Sequence, residues 1–203
     1  RETYIDFLRI TAILFVLYNH TENYGFALFT VQTESPLFIF YLLCSMLCRI
    51  AIPLYFMISG ALLLRKEEPL SVILRHRFFK YLVVLFFASL FYYVLRNYDS
   101  SLSVKTFFTT LYTSNMDTAL WFLYTYLGFL LMLPLLRKFV KTLEDKDYYW
   151  LSAIVLLFSV IRIVQYLLFK GELYYNTSFT VALTNRTIYY PLMGYFLANK
   201  LPF

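Results

Sequence analysis

The sequence predicts an all-α membrane protein, a polytopic bundle of about six transmembrane helices. Of its 203 residues, 61% are hydrophobic and only 15% are charged, whereas a soluble domain is about half apolar and a quarter charged. So few charged residues cannot cover a surface that faces water. The apolar residues lie in long runs, and a helix needs about 20 of them to cross the hydrocarbon core. These runs are too uniformly apolar for the alternating strands of a membrane barrel.

The predicted spans follow the apolar runs, and we place them at residues 5–19, 36–64, 78–95, 119–136, 148–169 and 187–198. The second run is long and contains Arg49 and Pro53, so we expect a tilted or broken helix there. The sixth run is short and contains Pro191 and Gly194. Residues 103–113 are expected to form an amphipathic segment that lies on the membrane surface. We predict no separate soluble part, so the whole chain forms a single transmembrane domain.

The positions of the Lys and Arg residues predict the orientation of the chain. They are concentrated in residues 65–80 and 137–147, and residues 20–35 have none. Loops rich in Lys and Arg stay in the cytoplasm, so both ends are predicted to be cytoplasmic, in a bacterial inner or plasma membrane. The net charge of +6 therefore reflects membrane orientation, and we infer no nucleic-acid partner from it. A basic inner face also suits anionic lipids or an anionic substrate.

Metal and disulfide chemistry find little support in the sequence. Cys44 and Cys48 lie one helical turn apart, which is a poor geometry for a disulfide, and ordinary packing explains two apolar thiols. Two thiols without a nearby His or acid make a poor zinc site. The two His residues are predicted at opposite faces of the membrane, so we expect no bound metal and no bound cofactor.

The first predicted span carries three ionisable residues on one face. Eleven positions separate Arg9 from His20, which places them about three turns and ~16 Å apart on the same side of a helix. Asp6 lies one turn before Arg9 on nearly the same stripe. Ionisable residues in a span commonly face a cavity or a partner. The alternative is that Asp6 and Arg9 anchor the helix at the interface and that His20 ends it at the water.

Five stretches in this order resemble the membrane acyltransferase type 3 family, and the resemblance extends over nearly the whole chain. The first is Tyr-Ile-Asp-Phe-Leu-Arg at residues 4–9, followed by His20. The others are residues 49–60 with Arg-Ile-Ala-Ile-Pro-Leu-Tyr-Phe-Met-Ile-Ser-Gly, 77–80 with Arg-Phe-Phe-Lys, 120–124 with Leu-Trp-Phe-Leu-Tyr, and 190–196 with Tyr-Pro-Leu-Met-Gly-Tyr-Phe. The third resembles the family's Arg-x-x-Arg element, with Lys80 in place of the second Arg.

The resemblance implies an enzyme that moves an acyl group, usually acetyl, from cytoplasmic acyl-CoA to an acceptor outside the membrane. Acceptors in such a family include cell-surface glycans and small molecules. Carried onto this chain, His20 becomes the general base or a transient acyl carrier. Arg9 would bind anionic donor groups or stabilise oxyanion charge. Arg77 and Lys80 would hold the CoA phosphates.

Each of these residues also has a simpler interpretation. Arg77 and Lys80 would serve equally as cytoplasmic anchors of a positive-inside loop. Arg49 needs a ligand phosphate or a carboxylate, or else it snorkels or pairs with Asp6. Ser59 would touch substrate or, with Gly60, let two helices approach closely. Trp121 supports the site or belongs to the interfacial aromatic belt.

The family's membrane domain is expected to have roughly ten helices, and this chain accounts for about six. We therefore interpret the sequence as an N-terminal portion of a larger membrane domain, which need not be active alone. The alternative function is a non-enzymatic membrane module, either a transporter or a sensor. Charged residues within spans also mark transport routes, and a helix broken near Pro53 is typical of transporters.

Overall fold

A computed structural model describes residues 3–98, 102–168 and 185–200, and these form helices and connecting loops without a strand. The α-helices are α1 Thr3–Asn19, α2 Leu28–Val31, α3 Phe38–Cys48, α4 Ala51–Leu63, α5 Leu70–Val72, α6 Phe79–Arg96, α7 Val104–Thr113, α8 Trp121–Thr142, α9 Asp145–Leu168 and α10 Arg186–Asn199. A π-helical turn, Ile73–Phe78, joins α5 to α6, and 3-10 turns lie at Glu22–Tyr24 and Thr118–Leu120. The all-α prediction is therefore confirmed.

Three helical stretches of the described chain are long and apolar enough to cross a membrane. They are Phe38–Leu63, Leu70–Arg96 and Thr118–Thr142. They match the second, third and fourth predicted spans. The first and sixth predicted spans correspond to α1 and α10, of 17 and 14 residues. The fifth corresponds to α9, and its predicted last residue, Phe169, lies outside the described residues. The number of six spans remains a prediction.

The predicted break in the second span is present, but it lies at Arg49 rather than at Pro53. Helix α3 ends at Cys48 and α4 begins at Ala51. Pro53 lies in the first turn of α4, where a missing backbone N–H costs nothing because such donors have no intrahelical acceptor. The proline therefore helps to start the second half of the span instead of bending its middle.

Two helices extend beyond the apolar runs that predicted them. The third span begins at Leu70 and not at Phe78, directly after the extended Pro69. Helix α8 continues past Leu136 to Thr142. Charged residues end an apolar run, but they do not interrupt backbone hydrogen bonding. Hydropathy alone therefore placed the start of the third span too late and the end of α8 too early. The predicted amphipathic segment is helix α7, whose first turn is capped by the Ser103 side chain.

Contacts between Cα atoms divide the chain into two compact units, one formed by residues 1–65 with 142–203 and the other by residues 66–141. In the first unit α4 packs against α10 and α1. Gly60 and Gly194 make the α4–α10 contact close, because a Cβ at Gly60 would lie 1.9 Å from the Pro191 carbonyl oxygen. A Cβ at Gly194 would lie 2.0 Å from the Met57 carbonyl oxygen. The predicted close approach of helices at Gly60 is therefore confirmed.

In the second unit, α6, α7 and the start of α8 surround an aromatic and aliphatic cluster. Its buried members are Leu85, Tyr93, Phe107, Met116, Leu120 and Leu127. Arg96 at the end of α6 donates to the Met116 carbonyl and to the Asp117 carboxylate, each at 2.6 Å. Asp117 also accepts the backbone N–H of Ala119 at 2.8 Å and so caps the 3-10 turn. These bonds fix the loop that leads into α8.

Candidate functional site

The N-terminal end of α1 brings Asp6 and Arg9 together. The Arg9 Nη1 donates to the Asp6 carboxylate at 3.0 Å across one helical turn, as their spacing predicts. The Arg9 side chain is 44% exposed and that of Asp6 is 28% exposed. The ion pair is therefore partly open to its surroundings.

His20 lies at the opposite end of α1 from this ion pair. It follows the last helical residue, and its backbone N–H donates to the carbonyls of Val16 and Leu17. The imidazole is exposed. Eleven residues of helical rise separate it from Arg9 by about 16 Å. The structure thus brings Asp6 to Arg9, while His20 lies about three turns from Arg9 and about four turns from Asp6.

Two contacts tie the His20 end of α1 to the break in the second span. The Asn19 side chain donates to the Cys48 carbonyl at 2.9 Å. Cys48 is the last residue of α3, so this bond satisfies a carbonyl that the end of the helix leaves without an intrahelical donor. The guanidinium of Arg49 lies 5.4 Å from the centre of the Phe26 ring, which is cation–π distance. Arg49 therefore lies over an aromatic ring, while Asp6 pairs with Arg9.

A cavity of about 590 Å³ opens between α1, α4 and α10 in the first unit. Its walls are almost entirely apolar: they comprise Tyr4, Ile5, Leu8, Leu54, Met57, Ile58, Ala61, Gly194, Leu197 and Ala198. Three of these residues belong to the first turns of α1, next to Asp6 and Arg9 in the sequence. Cavities of this size hold small molecules, with few polar groups to orient them. This one can receive an apolar chain.

Arg77 pairs with Glu68 in the second unit. Its Nε and Nη2 donate to the two carboxylate oxygens of Glu68, at 3.2 Å and 2.7 Å. Arg137 donates to the same residue, from Nη2 to the carboxylate at 3.0 Å and from Nη1 to the backbone carbonyl at 3.1 Å. The hydrogen bond from Arg77, above all, lowers the pKa of Glu68 to about 2. Glu68 is therefore a carboxylate shared by two arginines.

Lys80 differs from Arg77 in having a free side chain. It lies one turn further along the same helix, its side chain is exposed, and it makes no hydrogen bond or ion pair with the part of the chain that the structure describes. Its ammonium is thus available to an anion from solution. Arg77 and Lys80 together form a basic edge, of which Arg77 supplies a fixed guanidinium and Lys80 a mobile charge.

The remaining predicted residues, Ser59 and Trp121, lie in α4 and α8. Ser59 is half-buried in α4, next to the glycine that contacts α10. Trp121 is the half-buried first residue of α8. Their proposed contacts with substrate stay predictions.

Sequence reasoning missed Glu68 and Arg137. Arg137 was counted only as part of a basic loop, although it is nearly buried, with a side chain 9% exposed. The available signal was Glu67-Glu68, two adjacent carboxylates inside a strongly basic stretch. A carboxylate in such a place commonly neutralises a nearby cation, but the sequence does not reveal that this cation comes from α8.

The long apolar helices are those of a helical membrane protein, with ionisable residues at both ends of α1. The sequence model of the acyltransferase type 3 family, described as an acyltransferase domain, matches residues 2–203. The chain belongs to this family. No curated protein matches it, and no solved structure does.

Proposed function

We propose that this protein is an integral membrane acyltransferase that moves an acyl group, in the first place acetyl, from cytoplasmic acyl-CoA to an acceptor outside the membrane. The observation that carries the proposal is the family match over residues 2–203. The acceptor would offer a hydroxyl or an amine, as cell-surface glycans do. The reaction transfers a group other than aminoacyl, and it requires no bound cofactor or metal.

The proposed topology has six spans, both ends in the cytoplasm and a single transmembrane domain in a bacterial inner or plasma membrane. Three spans are the long apolar helices, and α1, α9 and α10 would supply the others. The concentration of Lys and Arg in residues 65–80 and 137–147 supports this orientation. It would put the Asp6–Arg9 pair and the basic edge on the cytoplasmic side, where acyl-CoA is present, and His20 toward the outside.

In this proposal Arg77 and Lys80 bind the phosphates of the donor. Arg77 is supported by its fixed guanidinium, and Lys80 by its exposed ammonium without a partner. A guanidinium binds phosphate oxygens through parallel N–H bonds, and an ammonium adds a compact charge. Asp6 would hold Arg9 in place.

His20 would act at the acceptor side. As a general base it would take the proton of the acceptor hydroxyl while the oxygen attacks the thioester carbonyl. The C–S bond then breaks, and the CoA thiolate leaves. As an acyl carrier its ring nitrogen would make the first attack and the acceptor the second. Its exposed position at the end of α1 supports either role.

Binding of acetyl-CoA to the detergent-purified full-length protein tests the donor site. We expect wild type to bind and Arg77→Ala/Lys80→Ala to lose binding while remaining folded. Acyl transfer by His20→Ala tests the acceptor side, and full transfer by a normally abundant variant contradicts the assigned role. Solute flux into reconstituted vesicles without an acylated product would instead indicate a transporter.

A further inference from the structure

Glu68 is the centre of the best-defined polar cluster in the described chain. Its carboxylate receives two bonds from Arg77 and one from Arg137, and the Lys66 ammonium lies 3.9 Å away. All four residues belong to the second unit. The charges amount to one anion among three cations, so the cluster keeps a positive charge after its internal pairing. A phosphate group is a suitable ligand for such a cluster.

The pairing leaves part of the Arg77 guanidinium unused. Arg77 binds Glu68 through Nε and Nη2, and its Nη1 group makes no hydrogen bond with the described residues. Two parallel bonds to one carboxylate fix the plane of a guanidinium. The direction of Nη1 is therefore determined before any ligand arrives. A donor group that is ordered in advance loses less entropy when it binds.

Arg137 in turn holds Glu68 in place. The Arg137 side chain is only 9% exposed, and it donates hydrogen bonds to both the backbone carbonyl and the carboxylate of Glu68. Removing the carboxylate partner of a buried guanidinium costs a large free energy. An incoming phosphate that displaced Glu68 would have to break the hydrogen bond from Arg137 to the Glu68 carboxylate. Glu68 is a fixed part of the cluster and not a temporary occupant of a ligand site.

From this geometry, and resting on the proposed function, we infer that Glu68 is a positioning residue for donor binding. It orients the Arg77 guanidinium toward the CoA phosphates, and Arg137 anchors Glu68. The occupant of the site is a phosphate of the acyl donor, which bonds to the unused edge of Arg77 and to the Lys80 ammonium. Glu68 itself does not touch the donor.

This inference and simple electrostatics predict opposite changes in donor affinity when Glu68 is replaced. Glu68 carries a negative charge close to the proposed phosphate, so its removal would tighten binding if charge alone mattered. If Glu68 orients Arg77, its removal weakens binding although the site becomes more positive. Glu68→Asp separates the two effects further. It keeps the charge but shortens the side chain, so that one carboxylate can no longer reach both arginines.

The experiment measures the Kd of CoA for the detergent-purified full-length protein. We expect Glu68→Gln and Glu68→Asp to weaken binding about tenfold, the size of one lost charge-assisted hydrogen bond. In an Arg77→Ala background, Glu68→Gln should cause no further loss, because Glu68 acts through Arg77. The matched control is Glu67→Gln, since Glu67 is the neighbouring carboxylate, is 79% exposed and pairs with Lys141, away from Arg77 and Arg137 among the residues that the structure describes. It should bind CoA like wild type.

Arg77→Lys leaves the hydrogen bonds between Glu68 and Arg137 in place. It is therefore the alternative test if the Glu68 variants do not fold. It retains the charge but cannot form the two parallel bonds, and we expect it to weaken CoA binding by a similar factor. Unchanged or tighter binding in Glu68→Gln, or unchanged binding in Arg77→Lys, overturns the positioning role. If Arg77→Ala/Lys80→Ala binds CoA like wild type, the proposed donor site itself is wrong. If that variant loses binding and the Glu68 variants do not, the donor site stands and only the inference about Glu68 fails.

Discussion

Replacing Gly60 by alanine should push α4 and α10 apart. The new Cβ would lie 1.9 Å from the Pro191 carbonyl oxygen, whereas ordinary van der Waals contact begins at 3.4 Å. The blocking atom belongs to the backbone, so no side-chain rotation relieves the clash. One helix must move by about 1.5 Å, and a gap of that size forfeits much of the dispersion energy along the interface.

The expected loss of stability is about 2 kcal/mol. Overpacking of this kind costs typically 1–3 kcal/mol, and here rigid backbone puts it at the upper end. The alanine recovers up to ~1 kcal/mol through its higher helix propensity. Gly194→Ala should behave alike, because its Cβ would lie 2.0 Å from the Met57 carbonyl oxygen. The double variant should lose less stability than the two single variants together, since the first substitution already separates the helices.

Denaturant unfolding of the detergent-purified variants measures these free energies. Gly128→Ala is the matched control, because a Cβ at Gly128 meets nothing within 4 Å. It introduces the same chemical change inside a helix and should leave the stability unchanged or slightly raised. If Gly60→Ala unfolds like wild type and like Gly128→Ala, the close approach of α4 and α10 is not what the structure indicates.

Three further predictions concern single side chains. Glu68 has a pKa lowered from 4.5 to about 2, so its stabilising contribution is present above pH 4.5 and is lost as the pH falls toward 2. Over that range the midpoint of thermal unfolding should fall more in wild type than in Glu68→Gln. Asp117→Ala removes a cap and the partner of Arg96, and it should cost about 1–2 kcal/mol in denaturant unfolding, whereas Asp117→Asn keeps the cap and should cost less. Tyr148→Phe removes a buried hydroxyl without a hydrogen-bond partner, so the free energy of unfolding should stay equal or rise by about 1 kcal/mol; a clear loss contradicts this.

The sequence predicted the helices well because a long apolar run that crosses a membrane must pair its own backbone polar groups, and a helix does so. The first and last predicted spans match α1 and α10 to within about two residues at each end, which is the ordinary uncertainty of helix ends. The break in the second span was also predictable, since Arg49 and Pro53 interrupt an otherwise apolar run. The sequence did not decide between these two positions, and the structure places the break at Arg49, because Pro53 falls in the first turn of α4, where proline is tolerated. The extensions of the helices to Leu70 and Thr142 consist of polar helical turns, which a hydropathy pattern does not indicate.

The sequence predicted the contacts of the candidate site that lie within one helical turn. It did not predict the contacts between residues that are far apart in the sequence. Asp6 and Arg9 lie one turn apart, so their ion pair follows from helical spacing alone. Glu68 and Arg137 are 69 positions apart in the sequence. Their pairing depends on how α8 packs in the second unit, and no periodicity encodes that. The same holds for Arg49, whose contact with Phe26 comes from a loop far earlier in the chain.

The distance between Arg9 and His20 restricts what the two residues can do in one reaction. A group that stabilises an oxyanion must lie about 3 Å from the developing charge, and a general base must be equally close to the proton that it removes. Two side chains separated by about 16 Å of helix therefore do not serve the same carbonyl at the same moment. If His20 is the general base, as proposed, Arg9 at the other end of α1 is not the group that stabilises the same oxyanion. Of the two roles proposed for Arg9, only donor binding is then compatible with the role proposed for His20.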